Sequence, residues 1–423
     1  MSAASPQVSQ LDSGLRVASL QMAEAHSVQV GIWVAAGARD ERAGEQGIAH
    51  MLEHMAFKGT ERRNAAEIAA AVENVGGYMN AHTAREETAY YIRVLPEQLE
   101  LAVDVLADIL TASTLPDHEL ERERGVIIQE IGQTLDAPDD LVFEKFSEIA
   151  FPDHVMGQSI LGTVDSVSGF RRTDLQGWMG RCYGLDRMLV CAAGQIDHAS
   201  LLQMVGEKLA GLPAAKMDPR QKPGFAPGRS VAERDLEQSH ILFGLQALSV
   251  LDDGRFSLLL LSSLYGGGMS SRLFQRVREE RGLCYSIFSF TQLYSDSGLF
   301  GVYAGTAPQQ MDELLEVAAA SLAELTVTVG SDELARAKAQ LKAAVLMGRD
   351  SVAGMTDSLA RQILLFGAPQ SAEALISQIE AVSAADISAM ARRLLSGPGP
   401  ALSVVGPEHR LMGNDQLARL LAA

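Results

Sequence analysis

The stretch Ser27-Val28-Gln29-Val30-Gly31-Ile32-Trp33-Val34 reads as a strand, and far downstream His240-Ile241-Leu242-Phe243-Gly244-Leu245 reads the same way. The elements after each strand also repeat. A helix is expected over residues 44 to 57 in the first half and 255 to 265 in the second, and then a second helix, a strand pair and a proline that opens an amphipathic helix. The opening is Pro96-Glu97-Gln98-Leu99 in one half and Pro308-Gln309-Gln310-Met311 in the other, 212 positions apart in a chain of 423. A repeat of this period signals internal duplication. The expected fold is therefore α+β: two similar domains, each a mainly antiparallel sheet flanked by helices. Pro213, Pro219, Pro223 and Pro227 crowd the segment between the halves, which reads as a linker. The division expected is residues 1–212, a linker at 213–235, and 236–423.

Local signals sharpen the first half. Asn64 with Glu67 three residues later makes a capping-box start, and Gly76 comes just after the last turn of that helix. Tyr78 to Thr83 and Thr88 to Arg93 then alternate as a hairpin does, joined across Arg85-Glu86-Glu87.

The chemistry is concentrated in His50-Met51-Leu52-Glu53-His54. At 3.6 residues per turn, positions i and i+4 share a helix face, so His50 and His54 can present imidazole nitrogens to one metal ion with Glu53 beside them. This is the H-x-x-E-H spelling of a zinc-hydrolase motif. Zinc suits two neutral imidazoles and one carboxylate, because a fourth position stays open for water. The matching helix of the second half, Phe256 to Leu264, carries no metal-binding side chain, so only the first half can hold the ion.

A third ligand is sought in Leu120 to Ile131, where Glu123, Ile127 and Glu130 fall on one helical face. Two carboxylates could there point into one site. A solvated charged face is the competing reading, which the apolar neighbours Val126, Ile127, Ile128 and Ile131 weaken. His82, next to Asn80 in its strand, reads as structural. His26, His118, His154, His198, His240 and His409 have no ligand-like spacing.

Composition excludes several classes. A net charge of −18 leaves no surplus of Lys and Arg for nucleic-acid phosphates. The acidity either attracts basic peptides or simply keeps the protein soluble. The chain has no run of eighteen apolar residues and no signal-like start, so no membrane association is expected. Three cysteines, Cys182, Cys191 and Cys284, are an odd number without paired spacing and read as free thiols, pointing to the cytoplasm.

His50-x-x-Glu53-His54, with Glu130 seventy-six residues after His54 inside Glu-Arg-x-Val-Ile-x-x-Glu-Ile, resembles the inverzincin metallopeptidases, which include pitrilysin, insulin-degrading enzyme and the mitochondrial processing peptidase. The resemblance extends through Asn80-Ala81-x-Thr83-x-x-Glu86-x-Thr88-x-Tyr90-Tyr91. In the second half it continues through Gly266-Gly267-Gly268-Met269-Ser270-Ser271-Arg272-Leu273 and the segment from Arg278 to Tyr285. A mass of 45.3 kDa is similar to that of the short, processing-peptidase subfamily.

That resemblance implies one zinc ion per chain on His50, His54 and Glu130, with Glu53 as general base and Glu123 as a carboxylate supporting the site. It implies that Asn80, Ala81 and Thr83 lie on the strand that pairs with substrate, and that Arg278 and Tyr285 contact substrate near the scissile bond. The implied activity is a zinc-dependent endopeptidase acting on extended peptides or presequence-like segments. In the short subfamily each chain supplies half of a clamshell, so a homodimer is expected. The alternatives are the catalytic subunit of a heterodimer and a non-catalytic core subunit. Retention of all four metal-site residues disfavours the latter.

Overall fold

In the computed structural model of this chain, residues 5–209, 211–407 and 411–422 are described. They form two compact units. The first unit takes residues up to 132, 159–221 and 348–370. Its sheet has six strands: β1 (Gln7–Gln10), β2 (Arg16–Gln21), β3 (Val28–Val34), β4 (Tyr78–Thr83), β5 (Thr88–Val94) and β6 (Met188–Gly194). Their spatial order is β1-β2-β6-β3-β5-β4, with β2 and β6 parallel and the other neighbours antiparallel, which leaves β4 at a free edge. Four helices shape this unit around the motif: α1 (Ile48–Ala56), α2 (Ala65–Glu73), α3 (Leu99–Thr111) and α4 (Asp117–Asp136).

The second unit takes residues 133–158, 222–347 and those from 371 onward. It opens with α5 (Pro138–Ala150) and has a five-stranded sheet: β7 (Gly228–Glu233), β8 (Ser239–Ala247), β9 (Cys284–Leu293), β10 (Gly298–Thr306) and β11 (Ala401–Gly406). Its order is β7-β11-β8-β10-β9, with β7 and β11 parallel. Once β1 is set aside, the two orders are the same string, strand for strand. The duplication is therefore present in topology, down to the short Pro96–Gln98 and Pro308–Gln310 helices that enter Leu99–Thr111 and Met311–Ala323.

The contiguous division expected from the sequence is not the one the contacts make. α5 comes from the first half of the chain yet packs on β7, β8 and β11. The helix Val352–Phe366 comes from the second half yet packs on β2, β3 and β6. The exchange has a physical use. Each sheet carries its main helices on one face and its borrowed helix on the other, so the central strands β3, β6, β10 and β11 are buried along their whole length. Strands covered on both faces lose the apolar-polar alternation and read as continuous apolar runs, as Met188–Gly194 does. The expected linker 213–235 differs too. Residues 213–221 belong to the first unit, and Gly228–Glu233 is strand β7, its exposed and half-buried residues alternating as an edge strand requires.

Local expectations agree elsewhere. Asn64 Oδ1 accepts from the Glu67 amide at 3.0 Å while Glu67 Oε2 accepts from the Asn64 amide at 2.8 Å, closing the capping box of α2. The hairpin β4–β5 forms with Ala84 N–H donating to Glu87 O across its turn. The first motif helix starts at Ile48 rather than 44, because Gly47 sits in the left-handed region at φ +88° and a Cβ there would meet Leu161 O at 2.6 Å.

On α5, Phe146 is the anchor: it is 1% exposed, and Gly244 of β8 lies so close that a Cβ there would fall 2.4 Å from its ring. Truncating a buried Phe costs about 3 to 5 kcal/mol from lost burial and the cavity left behind. Phe146→Ala is therefore expected to lower the free energy of unfolding by an amount in that range, read as a lower denaturant midpoint. An unchanged midpoint would mean that the borrowed helix contributes little to the second unit.

Candidate active site

The site is built on α1. Ile48, Ala49, Met51, Leu52, Met55 and Ala56 turn into the core, which leaves His50, Glu53 and His54 half-buried on the other face. The start of this helix is fixed by a carboxylate from outside it. Glu41, 6% exposed, accepts from the Gly47 amide at 3.0 Å and from the Ala49 amide at 3.1 Å, satisfying two amides that the helix itself leaves without partners. Sequence reading misses Glu41, since it stands outside the capping position and reaches back over an intervening loop.

Helix α4 lies alongside and buries Leu120, Glu123, Ile127 and Ile131, so the charged-face reading fails for Glu123. Glu123 Oε2 accepts from His54 Nδ1 at 2.9 Å, and Lys58 Nζ stands 2.7 Å from Glu123 Oε1. A carboxylate only accepts, so the proton sits on Nδ1 and the Nε2 lone pair of His54 is free for a metal. Two turns along α4, Glu130 Oε2 lies 3.8 Å from His50 Nε2 and 3.9 Å from His54 Nε2. The three ligand atoms fall within 4.8 Å of one another. Donors spaced in this way surround a common point and do not bond each other directly, and two imidazoles with one carboxylate form a donor set that zinc accepts. The residues fit the ion. Burial pushes the His50 imidazole down to about 4, with the nearby His54 acting in the same direction, so at neutral pH His50 is an unprotonated donor.

Glu53 is not among the three converging donors. Burial raises its carboxyl, while the hydroxyl of Thr83 donates to Oε2 at 2.6 Å and pulls the other way. Thr83 and Ala81 belong to the edge strand β4, and Asn80 is exposed there, its Oδ1 taking the Ala81 amide at 2.9 Å and its Nδ2 donating to the Tyr78 hydroxyl at 2.8 Å. His82 sits away from the metal-type donors, 3.9 Å from Glu87, its ring centre 6.1 Å from that of Tyr91.

Arg278 and Tyr285 belong to the second unit. The Arg278 guanidinium lies over the Tyr285 ring at 4.7 Å and over Phe274 at 4.5 Å, and Tyr285 is 76% exposed at the start of edge strand β9. The remaining histidines have structural partners where the pattern is clear. His198 bonds Ser9 and Ser19 hydroxyls, and His240 bonds the Tyr303 hydroxyl. His409 lies outside the described residues. All three cysteines are buried and unpaired. Among the described residues, no single helix is long and apolar enough to cross a membrane.

Known proteins share both the sequence and the fold. Residues 16–164 match the family described as insulinase (peptidase family M16), and residues 169–341 match the peptidase M16 inactive domain. An uncharacterized zinc protease of Streptomyces coelicolor is 39% identical over 409 residues, covering 94% of this chain and 88% of the relative. The uncharacterized zinc protease YmxG of Bacillus subtilis is 34% identical over 398 residues, covering 93% and 97%. A Helicobacter pylori protease of known structure superposes with a TM-score of 0.89 at 21% identity, covering 96% of this chain and all of the other, a likeness of fold. The match of the second half to an inactive domain agrees with its apolar helix Arg255–Gly266, which has no His, Cys, Asp or Glu.

The Glu41 cap has a pH signature. Burial raises its carboxyl from 4.5 to about 8, so between those values the folded protein keeps a proton that the unfolded chain releases. Its stabilising contribution is complete below about pH 4.5 and is lost as pH rises through about 8. Glu41→Gln is uncharged throughout. Thermal midpoints of the two proteins, compared from about pH 5 to about pH 9, should shift in favour of the variant as pH rises. A constant difference would show that Glu41 stays ionised in the fold.

Proposed function

The chain belongs to peptidase family M16, the insulinase family, and on that footing we propose that it is a zinc-dependent endopeptidase that hydrolyses extended or unfolded peptides. The observation that carries this is the convergence of His50, His54 and Glu130 within 4.8 Å beside a Glu53 that stands apart from them. His50, His54 and Glu130 would hold the zinc. Bound there, zinc supplies Lewis-acid activation of water and of the scissile carbonyl at neutral pH. Glu53 takes the proton of the attacking water and returns it to the leaving amine. Glu123 holds the His54 ring in the tautomer whose Nε2 faces Glu130.

The free edge of β4 supports the substrate class. An extended peptide can add to that edge by main-chain hydrogen bonds, which fix its register whatever its side chains are. Arg278 and Tyr285 act on the same peptide as hydrogen-bond donors, supplied in our reading by a second copy of the chain in a homodimeric clamshell. Both motifs on one chain favour this arrangement over a heterodimer. The three free cysteines support a reducing, cytoplasmic setting.

Glu53→Gln should retain zinc and lose peptide cleavage, while Glu130→Gln should lose both, as read by metal analysis and a fluorogenic peptide assay. Full cleavage by zinc-loaded Glu53→Gln would end the peptidase mechanism. Light scattering on the active protein should give twice the 45.3 kDa chain mass. An active monomer would remove the clamshell.

A further inference from the structure

We propose that Thr83 is a positioning residue for the general base: its hydroxyl holds one oxygen of Glu53 and leaves the other to carry the proton. This rests on the peptidase reading above and deepens it. The observation is the 2.6 Å bond from Thr83 Oγ1 to Glu53 Oε2, short and charge-assisted, in a part-buried setting. A carboxylate on a helix face rotates broadly about its last bond, so a fixed donor on one oxygen defines where the second oxygen points. Oε1 is then the oxygen that accepts the water proton.

Thr83 can act this way only if its strand is itself held, and the turn directly after it is clamped. Segment 37–40 runs against residues 84–87, with Ala38 N–H donating to Ala84 O and Arg39 N–H to Arg85 O. The approach is so close that a Cβ on Gly37 would sit 2.3 Å from Ala84 O. Arg39, 4% exposed, donates to Glu86 Oε1 at 2.6 Å and to Gln221 O at 2.7 Å. Arg220 grips Asp40 through two bonds of 2.8 Å and reaches Glu86 O at 2.8 Å. Bidentate arginine contacts of this kind are directional as well as strong. Two arginines, one from the segment that leads into α1 and one from residues 213–221, thus set the height of the turn from which Thr83 reaches Glu53.

The arrangement links substrate pairing to catalysis. The strand whose outer edge receives the peptide also carries, one residue before its turn, the donor that aims the base. A peptide docked in register on β4 and an aimed Glu53 therefore share one rigid reference.

The test uses full-length, zinc-loaded protein and an unstructured fluorogenic peptide that the wild type cleaves. Thr83→Val keeps the shape and removes the hydroxyl; Thr83→Ser keeps the hydroxyl. Thr83→Val should lower kcat by about tenfold or more, the scale of one hydrogen bond to a charged group, with KM, zinc content and thermal midpoint close to wild type. Thr83→Ser should restore most of kcat. Affinity for the same peptide, measured without turnover, should be equal for Glu53→Gln and Glu53→Gln/Thr83→Val. Wild-type kcat in Thr83→Val, a loss that Thr83→Ser does not recover, or weaker peptide binding in the double variant would each overturn the proposal, the last by making Thr83 a substrate contact. These outcomes are separate from failure of the peptidase reading, which shows as cleavage by Glu53→Gln alone.

Discussion

The hydrogen bond between His54 Nδ1 and Glu123 Oε2 joins α1 to α4, and the geometry of the site depends on it. These helices are far apart in sequence, and the burial of Leu120, Ile127 and Ile131 sets which face of α4 turns inward. A buried carboxylate with no partner is a much larger penalty than a slightly altered apolar contact. Glu123 is satisfied on both oxygens, by His54 and by Lys58, only in one register. In that register Glu130, seven residues on and therefore on the same face, arrives opposite the two imidazole Nε2 atoms. The same bond selects the tautomer that a metal needs. One contact thus sets both helix register and ligand chemistry.

Duplication and exchange explain why one unit can be specialised. Both units are built on the same five-strand order, and the second has it with no metal-type donors on the helix equivalent to α1. In the second unit the helix equivalent to α1 is free to be apolar, and it buries Phe256, Leu258, Leu260, Leu261, Leu264 and Tyr265 in its own core. In the first unit the same position keeps His50, Glu53 and His54 half-buried; Glu123 holds His54, Thr83 holds Glu53, and Glu41 caps the helix start. Glu53 and His54 each have a side-chain partner and the Nε2 atoms of both histidines converge with Glu130, while Nδ1 of His50 stays buried without a hydrogen-bond partner.

The features legible in the sequence are local or periodic. The i, i+4 histidines, the i, i+7 glutamates of α4 and the Asn64–Glu67 box can all be read, because each is written in the spacing of a single helix. The duplication can be read because its period exceeds any local accident. Strands β2, β6 and β11 escape, since burial on both faces, or in a parallel pair at the sheet interior, erases alternation. Strand β7 is hidden among the prolines and glycines that precede it. Glu41, Lys58 and the second role of Thr83 depend on contacts across 6, 65 and 30 positions, which no periodicity encodes. The unit boundaries escape for the same reason: which sheet a helix covers is decided by three-dimensional packing, and α5 carries no mark of its destination.

Strand β4 shows how the open edge and the buried base are reconciled. An unpaired sheet edge invites unwanted strand pairing, and proteins blunt such edges by keeping them short and polar. β4 has six residues, and Asn80 ties its own Oδ1 to the Ala81 amide, so a donor on the strand is quenched locally in the absence of a peptide. A backbone carbonyl of the proposed peptide could replace that local contact, whereas the 2.6 Å bond from Thr83 to Glu53 lies on the strand's side-chain face, away from the pairing edge. The strand is therefore adaptable along its edge and fixed across its face. In the proposed peptidase, that division would let one six-residue element pair with peptides of varied sequence while Glu53 keeps a single orientation.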